Sequence, residues 1–130
     1  METKKNILII TDDNQTIQKM AKSIVDGLGD AGLLLVNAKD FSPTALMAAD
    51  MVFLGCGEPN PASFAYLEEV LRHISLVGRP CGIFSSGSQK VLDYLRKITK
   101  DSELAVSPGP SDSDNSAAIK SWITDLRQRG

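Results

Sequence analysis

At 130 residues, 42% of them hydrophobic and 23% charged, the chain has the size and composition of one globular domain able to bury a core. Its net charge of −2, with Lys and Arg scattered among Asp and Glu, offers no basic patch for nucleic acid and no basic amphipathic face for a membrane surface. Apolar runs such as Ile7 to Ile10 and Leu33 to Val36 fall far short of the ~20 residues that span a bilayer, and Met1-Glu2-Thr3-Lys4-Lys5 lacks a signal-peptide apolar region, so the expected location is the cytoplasm.

In chain order, apolar runs bounded by turn residues alternate with helical periodicity. Ile7-Leu8-Ile9-Ile10 reads as a strand buried on both faces. Ile17, Met20, Ala21, Ile24, Val25 and Leu28 then recur at helical spacing, and Gly27, Gly29 and Gly32 loosen the helix end and open the turn. Leu33 to Val36 is the second strand, and Ser42-Pro43 starts a short helix. Met51-Val52-Phe53-Leu54 is the third strand, stopped by Gly55-Cys56-Gly57. Asn60-Pro61 reads as the next helix start, feeding Phe64, Leu67, Val70, Leu71 and Ile74 along one face. Cys81 to Phe84 is the fourth strand, and Val91, Leu92, Leu95 and Ile98 line the following helix. Glu103 to Val106 is a weak fifth strand, and Ser107 to Ser116, rich in Ser, Pro, Gly and Asp, reads as a loop. A last helix places Ala118, Ile119, Trp122, Ile123 and Leu126 inward. Strands that each lead into a helix imply a single α/β domain spanning 1–130, with a parallel sheet and right-handed crossovers.

In an open doubly wound sheet, ligands bind beyond the carboxyl ends of the strands where strand order reverses. With a five-stranded order 2-1-3-4-5, the crevice falls between the first and third strands. Its walls are then Thr11 to Thr16 and Gly55 to Ala62, with Ser85 to Gln89 outside them. A loop leading into a helix offers unpaired amides and the positive end of a dipole, both suited to an anion.

Over essentially the whole chain these segments resemble flavodoxins, which implies the three-layer flavodoxin-like fold. In that family the first loop reads Thr/Ser-x-Thr-Gly-Asn-Thr and cradles the FMN phosphate; here the six places are Thr11-Asp12-Asp13-Asn14-Gln15-Thr16. Ala49 to Gly55 resembles the family's third strand, and Gly78-Arg79-Pro80 with Ile83 to Ser88 its fourth strand and following loop. The resemblance implies FMN binding and electron transfer. It places Thr11, Asp13, Asn14, Gln15 and Thr16 at the phosphate, and Gly55, Cys56, Gly57, Glu58, Ser85, Ser86, Gly87 and Ser88 around the ring. Asp13 stands where the family has a Thr donor. About 5 Å from a phosphate it would repel each charge by roughly 3 kcal/mol, which predicts weakened flavin affinity. Asp12 falls at a variable place and is expected to point outward, with Asp12 or Asp13 capping the first helix. Gly55 to Ser63 and Ser85 to Asp93 carry no aromatic residue to stack on a flavin, while Phe64 and Trp122 read as core. The net charge of −2 is also modest for a carrier steered to basic redox partners. The alternative is a flavin-free relative serving as a protein-interaction or small-ligand module, with a redox or signalling protein as partner.

The run Ile9 to Asn14 also resembles a response-regulator receiver, whose acidic pair follows the first strand. The phosphoacceptor would fall at Gly55, however, and Ser107-Pro108 stands where a Lys is expected, leaving at most a degenerate receiver. His73, one turn after Glu69, reads as a solvated surface residue. Cys56, between two glycines near a helix start, is a candidate for a lowered thiol pKa, with a buried structural thiol the better reading. Cys56 and Cys81 fall at opposite ends of parallel strands, roughly 15 Å apart at about 3.3 Å per residue, too far for a disulfide.

Overall fold

A computed structural model describes residues 6–28, 32–85, 89–109 and 116–129. The element order is β1 (Asn6–Thr11), α1 (Gln15–Leu28), β2 (Gly32–Asn37), α2 (Pro43–Ala48), β3 (Met51–Gly55), a 3-10 turn (Ala62–Phe64) leading into α3 (Ala65–His73), β4 (Pro80–Phe84), α4 (Gln89–Thr99), β5 (Ala105–Pro108) and α5 (Ser116–Arg129). The strands form one parallel sheet in the order β2-β1-β3-β4-β5. The expected fold class is therefore the observed one.

Alternate residues of the central strands serve two cores, because side chains of a strand leave opposite faces in turn. Leu8, Ile10, Val52, Leu54, Cys81 and Ile83 meet Leu46 of α2, Leu67 and Leu71 of α3, and Val91 and Leu95 of α4. Ile7, Ile9, Met51, Phe53 and Phe84 meet Ile17, Met20, Ala21 and Ile24 of α1 and Ile119, Trp122, Ile123 and Leu126 of α5. Covering both faces in this way is what a parallel sheet requires. Trp122 stands edge-on to Phe53 and Phe84, at centroid distances of 5.3 and 6.4 Å, and its indole N–H donates to the Ser107 carbonyl at 3.3 Å. Room for that ring comes from Gly82 and Gly109, where a Cβ would lie 2.5 and 2.7 Å from it.

Two boundaries differ from the sequence reading. The fifth strand starts at Ala105 rather than Glu103, because Glu103 takes a left-handed backbone (φ 60) and its amide closes a turn onto the Lys100 carbonyl. It then runs on through Ser107 and Pro108, which read as loop; a proline is tolerated at the end of an edge strand, where no ladder partner needs its N–H. The third helix does not begin at Asn60-Pro61. Asn60 is left-handed (φ 61) and Pro61 extended, so the first helical turn is the 3-10 turn at Ala62. Residues 86–88 and 110–115, including Ser86, Gly87 and Ser88 of the expected site, lie outside the described residues.

Candidate functional site

The loop from β1 to α1 forms at the carboxyl end of the central strand, and its geometry is set by Asp12. This side chain is 6% exposed and points inward, contrary to the outward position expected from sequence. Its Oδ1 accepts the Asn14 N–H at 3.1 Å, a side-chain turn typical of Asp two residues before its donor. Its Oδ2 accepts the Gly57 N–H at 2.9 Å, tying the β1 loop to the β3 loop. Asn14, not either aspartate, caps α1: its Oδ1 accepts the Ile17 N–H at 3.1 Å. Asn is as good a cap as Asp, and Asp12 is already committed to holding the turn.

The two loops touch closely. A Cβ added at Gly57 would lie 2.2 Å from the Asn14 amide nitrogen, so glycine is what lets the β3 loop reach Asp12. Asp13, expected to intrude on the phosphate loop, turns outward instead. It accepts the Asn37 amide at 2.6 Å and pairs with Lys39 at 3.1 Å, binding the β1 loop to the segment after β2. The Lys39 and Asn37 contacts hold the Asp13 carboxyl below its ordinary value. The Asn37 side chain serves both neighbours, since its Oδ1 also accepts the Lys39 N–H at 3.0 Å.

Between these loops lies a cavity of about 520 Å3, lined by Asp12, Asp13, Asn14, Lys39, Gly57, Glu58, Pro61, Ala62 and Ser63. It falls where strand order reverses, as the fold predicts. Of the expected site residues, Asp13, Asn14, Gly57 and Glu58 line it. Thr11, Gln15, Thr16, Gly55, Cys56 and Ser85 do not. Thr11 is buried, and Gln15 and Thr16 are exposed on the first turn of α1. Asp12, Pro61 and Ala62 fall within the expected crevice walls, though none was given a ligand contact; Lys39 and Ser63 were missed. The spacing Asp12-x-Asn14 directly after a strand was the available signal for an inward carboxylate.

Among the described residues the lining carries three carboxylates against one ammonium and no aromatic ring. The rings nearest in sequence are engaged elsewhere: Phe41 packs on Tyr66 at 5.4 Å, and Phe64, fully buried, packs on Tyr94 at 6.4 Å. The Tyr94 hydroxyl donates to Glu68 at 3.1 Å, and burial with the Glu68 charge pushes its pKa up.

Cys56 and Cys81 are both free and buried. The register pairs Cys81 with Val52, which places Cys56 about 13 Å further along the sheet, in line with the expected separation. Burial, and next the nearby Asp12 charge, push the Cys56 thiol up to about 12. The Glu58 backbone amide pulls the other way but is outweighed, and the buried structural reading is the one the geometry fits. His73 is exposed on α3, 3.1 Å from Glu69, as expected of a surface residue. Ser85, at the end of β4, is 2% exposed and its hydroxyl meets no partner among the described residues.

Two further observations bear on the receiver resemblance. A Cβ at Gly55 would lie 2.2 Å from the buried Phe84 ring, so the phosphoacceptor position cannot carry a carboxylate without repacking the core. No group of three or more acidic, histidine or cysteine side chains among the described residues is arranged to hold a metal ion.

No protein-family model and no curated protein matches this sequence. Solved structures do. A flavodoxin from Streptococcus pneumoniae TIGR4 superposes with a TM-score of 0.77 at 12% identity, covering 96% of this chain and 99% of that one. Flavodoxin 2 from Bacillus cereus gives 0.74 at 15% identity, covering 96% and 99%. A response regulator protein from Burkholderia multivorans gives a weaker 0.53 at 17% identity, covering 95% of each chain. The class is thus defined: an α/β protein of flavodoxin-like fold. At these identities it is a divergent member of that fold group, closer in shape to flavodoxins than to receivers. No helix among the described residues is long and apolar enough to cross a membrane.

Proposed function

We propose that this chain is a flavin-free binding module on the flavodoxin-like fold, whose crevice receives hydrogen-bond donors of a protein or small-ligand partner instead of a phosphate. The observation that carries this reading is the Asp12 carboxylate, which accepts the Asn14 and Gly57 amides at 3.1 and 2.9 Å. Amides at the head of the crevice, where an incoming anion would find its donors, are occupied by an anion the chain supplies itself. A phosphate about 4 Å from that carboxylate, at an effective dielectric near 20, would be repelled by roughly 4 kcal/mol per charge pair, about a thousandfold in affinity. Glu58 and Asp13 add the same sign of charge to the cavity wall, with Lys39 the one cation lining it among the described residues.

FMN binding with electron transfer to a redox partner is the second reading. It is favoured by the whole-length likeness to flavodoxins and by the exposed Gln15 and Thr16 at the first turn of α1. One titration separates the two. FMN fluorescence is followed as protein is added, first with the native chain and then with Asp12→Ser, which removes the charge and frees both amides. The first reading expects no quenching by the native chain at micromolar concentration and measurable quenching by the variant. Micromolar FMN binding by the native chain, or a purified protein that is yellow, establishes the second.

A further inference from the structure

The cavity between the β1 and β3 loops holds the charge imbalance of the whole molecule. The chain carries 16 acidic and 14 basic side chains, and three of those acids and one lysine line the cavity among the described residues. Setting these aside leaves 13 of each sign, so the rest of the chain is formally neutral and the net −2 sits at the crevice. Lys39 is already engaged by Asp13 at 3.1 Å. Asp12 and Glu58 therefore line the cavity with no cation paired to either among the described residues. Glu58 is exposed and served by water. Asp12 is 6% exposed, and a carboxylate largely withdrawn from water gains most from a cation brought to it. Its two amide contacts take one lone pair on each oxygen and leave the others free.

No ring lines the cavity, but Tyr66 stands beside it. Ser63 is part of the wall, and Tyr66 follows it by one helical turn, its side chain leaning back toward the turn that carries Ser63. Lys39 lines the cavity too, and Phe41, two residues on, packs against Tyr66 at 5.4 Å. The buried Phe41 fixes the tyrosine from one side, while Tyr66 keeps 52% of its surface exposed. Carboxylates next to an open tyrosine ring suit a flat cation, because the acids take its charge and the ring takes its face. A metal ion is poorly served by the same lining, since no three acidic, histidine or cysteine side chains among the described residues converge on one point.

We infer that the crevice takes a guanidinium group, carried by an arginine side chain of a partner protein or by a free guanidino compound. The inference rests on the reading of the crevice as a flavin-free binding site and names the chemistry that site receives. The group enters between Asp12 and Glu58, donates to their free lone pairs and lays its plane against Tyr66. A guanidinium suits this better than an ammonium, because it is planar, forks onto carboxylates, stacks on aromatic faces and is more weakly hydrated. The Asp12 charge that repels a phosphate attracts this group instead. At about 520 Å3 the cavity falls in the size range of small-ligand sites. Most of its lining is exposed to water, so a single guanidinium should bind in the millimolar range, with tighter binding supplied by the rest of a partner's surface.

Amide chemical shifts of the full chain at low salt read the binding, with N-acetylated and amidated arginine, lysine and citrulline as probes. Citrulline has the shape of arginine without its charge. Arginine should shift the Asn14, Gly57 and Glu58 amides saturably, lysine should bind more weakly, and citrulline not at all. Glu58→Gln should weaken arginine about fivefold and leave the melting temperature unchanged, and Tyr66→Leu should weaken it about threefold. Asp125→Asn makes the same charge change at an exposed site on α5 that does not line the cavity, and should leave arginine binding as it was. Agmatine and a blocked Gly-Arg-Gly peptide separate the two sources of the group: the free compound is favoured if agmatine binds tighter, the protein partner if the peptide does. The inference is overturned by the lack of a saturable arginine shift, by lysine or citrulline binding as tightly as arginine, or by Asp125→Asn acting as strongly as Glu58→Gln. FMN in a parallel titration keeps the underlying reading distinct. If neither FMN nor arginine binds, the crevice stays flavin-free and the guanidinium assignment alone fails; micromolar FMN binding overturns the reading itself, and the inference with it.

Discussion

Asp12 and Asp13 are adjacent in sequence, but the β1–α1 loop uses them on opposite sides. The inner carboxylate is 6% exposed and accepts two backbone amides from two different loops. The outer one has 67% of its side chain in solvent and engages two side chains, Asn37 and Lys39. The contrast is between a group that has exchanged its water for fixed amides and one that keeps most of its water. Removing the first leaves N–H groups in a half-closed crevice without partners, whereas removing the second lets solvent take over. The inner side should therefore set the architecture of the crevice, and the outer side only trim it.

The largest effect is expected from Asp12→Ala. Two partly buried amides lose their acceptor at about 1–3 kcal/mol for each, so about 3 kcal/mol of stability should go in total. For a chain of this size that is a fall in melting temperature of roughly 10 °C. Urea titration with an unchanged slope would place the loss in the folded state. A variant as stable as the native chain would mean that the inner carboxylate holds nothing together.

Gly57→Ala should come next. The new Cβ would sit 2.2 Å from the Asn14 amide nitrogen and 2.6 Å from its Cγ, so Asn14 must swing out and give up the Ile17 N–H. Loss of a helix cap costs about 1 kcal/mol. The coupling is what sharpens the comparison. In an Asn14→Ala background the two nearest atoms are gone and only the Cβ of residue 14, at 3.0 Å, remains close, so Gly57→Ala should cost much less than it does alone. Strict additivity in that double-mutant cycle would mean the two loops do not meet through Asn14.

The fold was legible because it rests on pattern. Four-residue apolar runs at Ile7, Leu33, Met51 and Cys81 alternate with helical stripes, and burial on both faces is the only way to hide such strands. Topology then pointed to the loops after β1 and β3, and a cavity lies between them. The chemistry of the loop was less legible. Sequence supplies two adjacent aspartates and no rule for which turns inward; a family alignment of positions favours Asp13, because it replaces a donor. The deciding facts are three-dimensional. Asn37 and Lys39, which draw Asp13 outward, come from the end of β2, and Gly57, which receives Asp12, lies 45 residues further along. Local backbone choices misled in the same way at Asn60 and Glu103, where left-handed residues delayed a helix and a strand. The exposure of Leu34 and Leu35 was also invisible in the run Leu33 to Val36, which reads simply as the second strand until its edge position and the shortness of α2 are known.

The smallest effect belongs to Asp13, and acid and salt should distinguish it from its neighbour. The Lys39 hydrogen bond, and after it the Asn37 amide, hold the Asp13 carboxyl below the 3.8 of an unperturbed aspartate. A depressed folded-state pKa means the unfolded chain takes up the proton first as pH falls. The contribution to stability is therefore complete above about pH 4 and is lost as pH drops through 3.8 and below. Asp13→Asn should melt slightly lower than the native chain at neutral pH and low salt. That gap should close either in strong salt, which screens an exposed pair, or in acid well below the ordinary aspartate range, where the native carboxyl is neutralised as well. The Asp12→Ala deficit should survive the same salt, because it arises from unmade amide hydrogen bonds rather than from a screened charge. If salt erased both gaps alike, the inner carboxylate would be acting as one more surface charge, and the case against a phosphate in this crevice would lose its structural basis.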